Sequence, residues 1–198
     1  MENLIYILLA LTSVITLTFI GERAWALRWN NVIPPKIEEA VDECRKPADV
    51  EKLRRACERT PSALSRLLLV AADQLQWPKE DAEDAVATRA RHEIVRLERG
   101  LVVLEVVVGI APLMGLVGTI YGMMTLFSGL GQSGLNDNAA LAKGIAVILN
   151  STLLGLLIAI PALVTWSYFT KKVETLAVEL ETLCGEFLRR QYRKGVES

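Results

Sequence analysis

Between Val106 and Phe127, and again between Gly144 and Phe169, the sequence contains no Asp, Glu, Lys, Arg or His. One histidine, His92, and three cysteines, Cys44, Cys57 and Cys184, serve the whole chain of 198 residues. These shortages exclude several classes of function. There is no cysteine or histidine spacing suited to zinc, no glycine-rich phosphate loop after a strand, and no nucleophile beside a base. The chain is therefore read as a non-enzyme that needs no cofactor. His92 lies among charged residues on a predicted soluble helix and reads as a surface side chain. An odd number of cysteines argues for free thiols rather than a disulfide framework. The 22 basic residues are matched by 23 acidic ones, a balance that speaks against a nucleic-acid surface.

What the chain has in abundance is apolar surface, at 52% hydrophobic residues. Charge is almost absent from Leu4 to Ile20, Val106 to Leu126 and Gly144 to Phe169. Each stretch approaches or exceeds the roughly 20 residues needed to cross a bilayer, which predicts three transmembrane helices in an all-α membrane protein. Before the first stretch the only charge is Glu2, and Gly21-Glu22-Arg23-Ala24-Trp25 is not a small-x-small cleavage site. A retained helix is expected rather than a signal peptide. Of the lysines and arginines, 15 fall between Gly21 and Gly100, 6 follow Phe169, and only Lys143 lies between Ser128 and Lys143. The positive-inside rule then sets a periplasmic N-terminus and a cytoplasmic C-terminus. The expected division is a first transmembrane helix over 1–26 and a cytoplasmic helical segment over 27–104. A second span over 105–128, a periplasmic loop over 129–142, a third span over 143–170 and a cytoplasmic helical tail over 171–198 complete it.

The cytoplasmic segment reads as short helices punctuated by proline. Asp49 opens "DVEKLRRACERT", and Thr60-Pro61 reads as an N-cap followed by proline at the first helical position. Leu64, Leu67, Leu68, Ala71 and Leu75 then repeat at helical spacing. Pro78 opens a further helix, and no strong stop follows until Gly129, so the second span is expected to continue far into the cytoplasm. Along it Arg89, Arg91, Glu93, Arg96, Glu98 and Arg99 are expected on solvated faces. The third span likewise runs on into an apolar stripe of Val173, Leu176, Leu180, Leu183, Phe187 and Leu188. The stripes of the two long helices could be buried against each other or against neighbouring subunits.

Within the spans, glycine and threonine stand where leucine would serve lipid equally well. Gly118 and Gly122 form a G-x-x-x-G, and Ser151, Gly155 and Ala159 recur every fourth residue. Small faces let helices approach closely where lipid supplies little drive for association. Thr119, Thr125, Ser151, Thr152 and Thr165 admit two readings. Each hydroxyl can bond back to a carbonyl one turn earlier, or some can face a water-accessible interior and relay protons. Asn150 favours the second, since an amide in a bilayer seeks protein or water. Glu105 stands only at the border of the second span, so a proton acceptor inside the membrane would have to come from another chain.

At this point "APLMGLVGTIYGMMTLF", residues 111–127, resembles the second-span signature of the MotA/TolQ/ExbB proton-channel family. "GIAVILNSTLLGLLIAIPALVTWSYF", residues 144–169, resembles its third-span partner, with a weaker "GERAWALR" after the first span. Three spans with a large cytoplasmic insert are similar to the ExbB and TolQ type rather than to the four-span stator MotA. The resemblance implies a homopentamer in the bacterial inner membrane around a dimer of a single-span ExbD/TolR-like protein. That protein's membrane aspartate would carry the proton and supply the acceptor this chain lacks. Work would pass to a TonB/TolA-like periplasm-spanning protein. Carried onto this sequence, the motif threonines fall on Thr119 and Thr152, implied to face the interior and assist proton transfer. Pro112 and Pro161 match its prolines, and Gly115, Gly118, Gly122 and Gly155 its small helix-contact positions.

One departure stands out. The family usually has a glutamate where this sequence has Val147, and the next positions read Leu149-Asn150-Ser151-Thr152. Asn150 and Ser151 are expected to take over part of that polar role. The expectation is an ion-driven motor subunit carrying H⁺, with Na⁺ the second candidate. Its alternatives are a non-conducting membrane scaffold, a related motor for gliding or another envelope process, and a self-sufficient channel.

Overall fold

The computed structural model describes residues 2–46, 49–133 and 138–195. Among them every regular element is helical: α1 (Glu2–Ala26), α2 (Trp29–Val32), α3 (Pro35–Glu43), α4 (Val50–Arg59), α5 (Ala63–Asp73), α6 (Lys79–Glu98), α7 (Leu101–Ser133) and α8 (Asn138–Gly195). Three helical stretches, Leu4–Ala26, Leu101–Gly129 and Gly144–Arg193, each contain an apolar run long enough to cross a membrane. The all-α fold with three membrane-length helices is thus as expected. Residues 134–137, inside the expected periplasmic loop, lie outside the described residues; α7 continues through Ser133 and α8 begins at Asn138.

The chain forms two compact units. The first comprises Met1–Arg23 and Gly100–Tyr168, and the second Ala24–Arg99 and Phe169–Ser198. The span Gly144–Arg193 covers 50 residues. At 1.5 Å per residue that is about 75 Å, more than twice the ~30 Å of a hydrocarbon core, so much of this helix must lie outside the bilayer.

In the first unit α1 turns Leu9 and Thr16, seven residues apart, inward, while Leu4, Ile7, Leu11, Val14 and Leu17 stay exposed. The inward threonine costs little, because its hydroxyl donates to the Thr12 carbonyl at 2.7 Å. The expected rod from Pro78 to Gly129 is interrupted at Arg99-Gly100, between α6 and α7. Arg99 keeps helical angles (φ −47°, ψ −40°). A side chain at Gly100 would collide with the guanidinium of Arg23, so glycine there leaves room for that arginine beside the start of α7.

The second unit is a helical bundle in which α3 meets α4, α4 meets α5, and α5 meets α6. Ile37 and Val41 of α3, Leu53 and Cys57 of α4, and Leu64, Leu67, Leu68 and Ala71 of α5 form its interior. From α8 come Val173, Leu176, Leu180, Cys184, Phe187 and Leu188, each at most 4% exposed, with Leu183 slightly more open. The stripe read from the sequence is therefore buried within one chain, inside this bundle. Each such Leu or Phe contributes about 1.5–3 kcal/mol when fully withdrawn from water. The end of α8 is tied down by polar bonds as well. Arg190 bonds Asp42 at 3.1 Å, Gln191 donates to the Cys44 carbonyl at 3.3 Å, and Tyr192 donates to the Trp77 carbonyl at 2.7 Å.

Three local expectations change. Ser62, not Thr60, caps α5: its backbone is extended and its hydroxyl accepts from the Ser65 amide at 3.0 Å. Thr60 instead ends α4, and its carbonyl accepts from the Ser65 hydroxyl. Leu75 falls in the turn beyond α5, which stops at Asp73 with Gln74 as its C-cap. Glu93, expected on a solvated face, is 2% exposed. Arg66 reaches it with two bonds, Nε to Oε1 at 2.9 Å and Nη2 to Oε2 at 2.6 Å, and Arg89 adds an ion pair at 3.0 Å. Burial alone raises the carboxyl's pKa, but the Arg66 hydrogen bonds and the charges of Arg66, Arg89 and Arg96 outweigh it and hold the pKa below the usual range.

Candidate functional site at the contact of the second and third spans

The site is built where α7 and α8 touch within the first unit. A Cβ placed on Gly155 would stand 2.6 Å from the Ala111 carbonyl oxygen, and one on Gly115 would stand 2.9 Å from the Ser151 carbonyl oxygen and 3.1 Å from the Thr152 Cα. Backbone meets backbone at both positions, so neither leaves room for any side chain. On Gly118 a Cβ would lie 2.7 Å from Ser151 Oγ and 3.3 Å from Ile5 Cγ2, and on Gly122 it would lie 2.7 Å from Ile148 Cγ1. Gly118 thus marks the point where α1, α7 and α8 converge.

Small residues extend the seam in both directions. Ala111 packs with Val107, Ala159 and Ala162 toward one end, and Gly144 accommodates Leu126 toward the other. The pairs Ala111 with Gly155, Gly118 with Ser151 and Leu126 with Gly144 run in opposite senses along the chain, so the helices are antiparallel. The spacing is four, three, four on α7 (Ala111, Gly115, Gly118, Gly122) and on α8 (Gly144, Ile148, Ser151, Gly155), which keeps one seam facing its neighbour. The sequence pattern alone does not single out Ala111, Gly144 and Ala162; the alternating spacing contains Ala111 and Gly144, and Ala162 packs beyond it with Ala111 and Ala159.

The polar residues singled out from the sequence fall within about one helical turn of each other along this seam. Thr152 has its Cα against Gly115, and Thr119, next to Gly118, stands level with Asn150 and Ser151. Their surroundings differ. Ser151 is 4% exposed, pressed into the helix contact; Thr119 and Thr152 are half-buried; Asn150 is exposed. The Thr119 hydroxyl donates to the Leu116 carbonyl at 2.7 Å, which leaves its oxygen lone pairs free to accept. Thr125 and Thr165 bond back in the same way, to Tyr121 at 3.0 Å and Pro161 at 2.7 Å. Pro112 is half-buried and Pro161 exposed, each inside a helix that runs through it. Val147 is half-buried, and its carbonyl accepts from the Tyr6 hydroxyl at 3.4 Å.

Around the seam the outward faces remain apolar. Leu113, Val117, Met124 and Phe127 on α7 and Leu149, Leu153, Leu157, Ile160 and Val164 on α8 are all exposed in the single chain. Such faces require lipid or neighbouring protein.

A model of the MotA/TolQ/ExbB proton channel family matches residues 59–182, more than half of the chain and all of the α7–α8 seam. The chain belongs to the MotA/TolQ/ExbB proton channel family. Among ExbB and TolQ relatives, the biopolymer transport protein ExbB of Pseudomonas putida is 26% identical over 197 residues, covering 94% of this chain and 58% of that protein. The ExbB of Salmonella typhimurium is 35% identical over 95 residues, covering 48% of this chain and 39% of that protein. The Tol-Pal system protein TolQ of Pseudomonas aeruginosa is 34% identical over 115 residues, covering 58% and 50% respectively. The chain spans about half the length of the curated relatives it matches. A family member with three membrane-length helices is a multi-pass membrane protein, as the sequence resemblance to the ExbB and TolQ type implied.

Proposed function

We propose that this chain is the ring subunit of an ion-driven motor in the bacterial inner membrane, working as a homopentamer around a dimer of an ExbD/TolR-like single-span protein. The observation that carries this reading is chemical. The second and third spans contain no carboxylate between Val106 and Phe127 or between Gly144 and Phe169, while the half-buried Thr119 presents a hydroxyl oxygen whose own proton is already bonded to Leu116. Such an oxygen can accept a hydrogen bond from a protonated carboxylic acid. When the acid loses its proton, the hydroxyl must turn from Leu116 to donate to the carboxylate. Thr119, and Thr152 about one helical turn away along the seam, would thereby distinguish the two protonation states of a partner's aspartate.

The distribution of lysine and arginine supports a periplasmic N-terminus and a cytoplasmic second unit. The exposed apolar faces of α7 and α8 supply surface for neighbouring subunits. Asn150 would supply polarity where the family usually has the glutamate replaced here by Val147. The transported ion is H⁺, and the work would reach a TonB/TolA-like periplasm-spanning protein.

The test is proton flux into vesicles carrying the chain and its candidate partner, with Thr119→Val and Thr152→Val compared at equal assembly. Loss of flux with retained native mass supports the motor. Absence of flux in wild type, with driven work unchanged in both variants, would reject it in favour of a non-conducting scaffold, and conductance without a partner would indicate a self-sufficient channel.

A further inference from the structure

On α6, Arg89, His92, Glu93, Arg96 and Arg99 line one open depression of about 450 Å³, with Val95 at its edge. At 100° per residue, Arg89, His92, Arg96 and Arg99 share one side of the helix, whereas Arg91 and Glu98 stand on the other. Glu93 is the depression's acid, and it is already committed to Arg66 and Arg89. Neither Arg96 nor Arg99 forms an ion pair among the described residues, and both are exposed. A second observation points the same way: the Nε of Arg89 is buried and has no hydrogen-bond partner. The groove therefore holds more guanidinium donors than its own carboxylate can satisfy. Arg96 and Arg99 stand five and two residues before Leu101, where the second membrane-length stretch begins.

We propose that this groove binds the phosphate of an anionic phospholipid headgroup. Guanidinium groups recognise phosphate oxygens with paired, charge-assisted hydrogen bonds. A basic cluster immediately outside a membrane span meets such phosphates at the bilayer surface, where each arginine adds attraction. The lipid source follows from the closeness of Arg96 and Arg99 to Leu101 along the chain. The Glu93 carboxylate fixes Arg89 in the groove wall and leaves Arg96 and Arg99 to the ligand. The assignment does not depend on ion conduction.

The experiment uses the full chain in nanodiscs of mixed phosphatidylglycerol and phosphatidylcholine with identical acyl chains, followed by native mass spectrometry of the lipid retained. Wild type is expected to retain phosphatidylglycerol preferentially. Arg99→Gln should reduce that preference about fivefold, and Arg96→Gln with Arg99→Gln about 20-fold or more. Arg91→Gln, with the same change of charge outside the groove, should leave it unaltered. Far-UV circular dichroism and native oligomer mass identify any variant that has lost its fold, and the exposed single variant Arg99→Gln then decides. Equal preference in wild type and Arg99→Gln would overturn the proposal. So would displacement of the retained lipid by inorganic phosphate, which would identify a free anion as the ligand.

Discussion

Gly155 and the carbonyl of Ala111 approach so closely that a methyl group on the glycine would stand 2.6 Å from the oxygen. The obstacle is main chain, not a side chain that can swing aside. Gly155→Ala must therefore separate α7 from α8, at a cost of about 1–3 kcal/mol for overpacking. Thermal unfolding in detergent should show the loss, and Gly115→Ala should behave alike. Gly109 faces open space in the single chain. Gly109→Ala should leave its stability unchanged or raise it by up to about 1 kcal/mol through helix propensity.

Thr119 separates packing from proton transfer. Thr119→Val is nearly isosteric and removes the acceptor oxygen, so flux with the partner should fall about 10–100-fold, as expected when a hydrogen bond to an ionisable group is lost. Thr119→Ser keeps the hydroxyl and should retain most of the flux. Equal flux in the valine and serine variants would remove this residue from the ion path.

The Arg66–Glu93 pair should hold the second unit together. Removing Glu93 leaves the partly exposed Arg66 and Arg89 without their acceptor, so Glu93→Ala should cost about 1–3 kcal/mol. Arg66→Met combined with Glu93→Leu should recover part of that loss. Chemical denaturation followed by circular dichroism reads both.

The same pair sets an acid limit. Glu93 has its pKa depressed in the folded protein relative to its ordinary value of 4.5. Its stabilisation is therefore complete above that value and is lost as pH falls through the lower, folded-state pKa. Melting temperature should drop more steeply below pH about 4.5 in wild type than in Glu93→Gln. Parallel acid profiles would contradict the assignment.

The thiols should be silent until the bundle opens. Burial pushes Cys57 up to about 11 and Cys184 up to about 12, and raises Cys44 as well. At pH 8 a thiol of pKa about 11 is ionised to roughly one part in a thousand, and the thiolate is the reactive form. Maleimide should leave all three cysteines unmodified in the native protein and label all three in guanidinium chloride, as read by intact mass. Rapid native labelling of Cys184 would show that the bundle opens readily.

Much of this architecture was legible before any tertiary structure. Three charge-free runs specified three membrane-length helices, because a bilayer requires length and apolarity without regard to detail. The stripe from Val173 to Leu188 was legible because one buried face repeats at the helical period. The close contact of α7 and α8 was half legible, through Gly118, Gly122, Ser151 and Gly155. Ala111, Gly144 and Ala162 escaped because alanine and isolated glycine are ordinary in any helix until a partner lies against them.

What depended on tertiary structure was which neighbour each residue meets. Glu93 looks like any other charge in a charged run, and only the arrival of Arg66 from α5 makes it a buried anchor. The cap of α5 passed from Thr60 to Ser62 because α4 extends far enough to claim Thr60 as its end. Ser151 carries both a small-residue packing pattern and a polar group in the sequence, and the fold presses it against Gly118. The sequence alone determined the number of spans, their helical character and the absence of Asp, Glu, Lys, Arg and His between Val106 and Phe127 and between Gly144 and Phe169. The tertiary structure decided which small residues bring backbones into contact and which polar residues remain accessible, since long-range packing sets both and no local pattern encodes its partner.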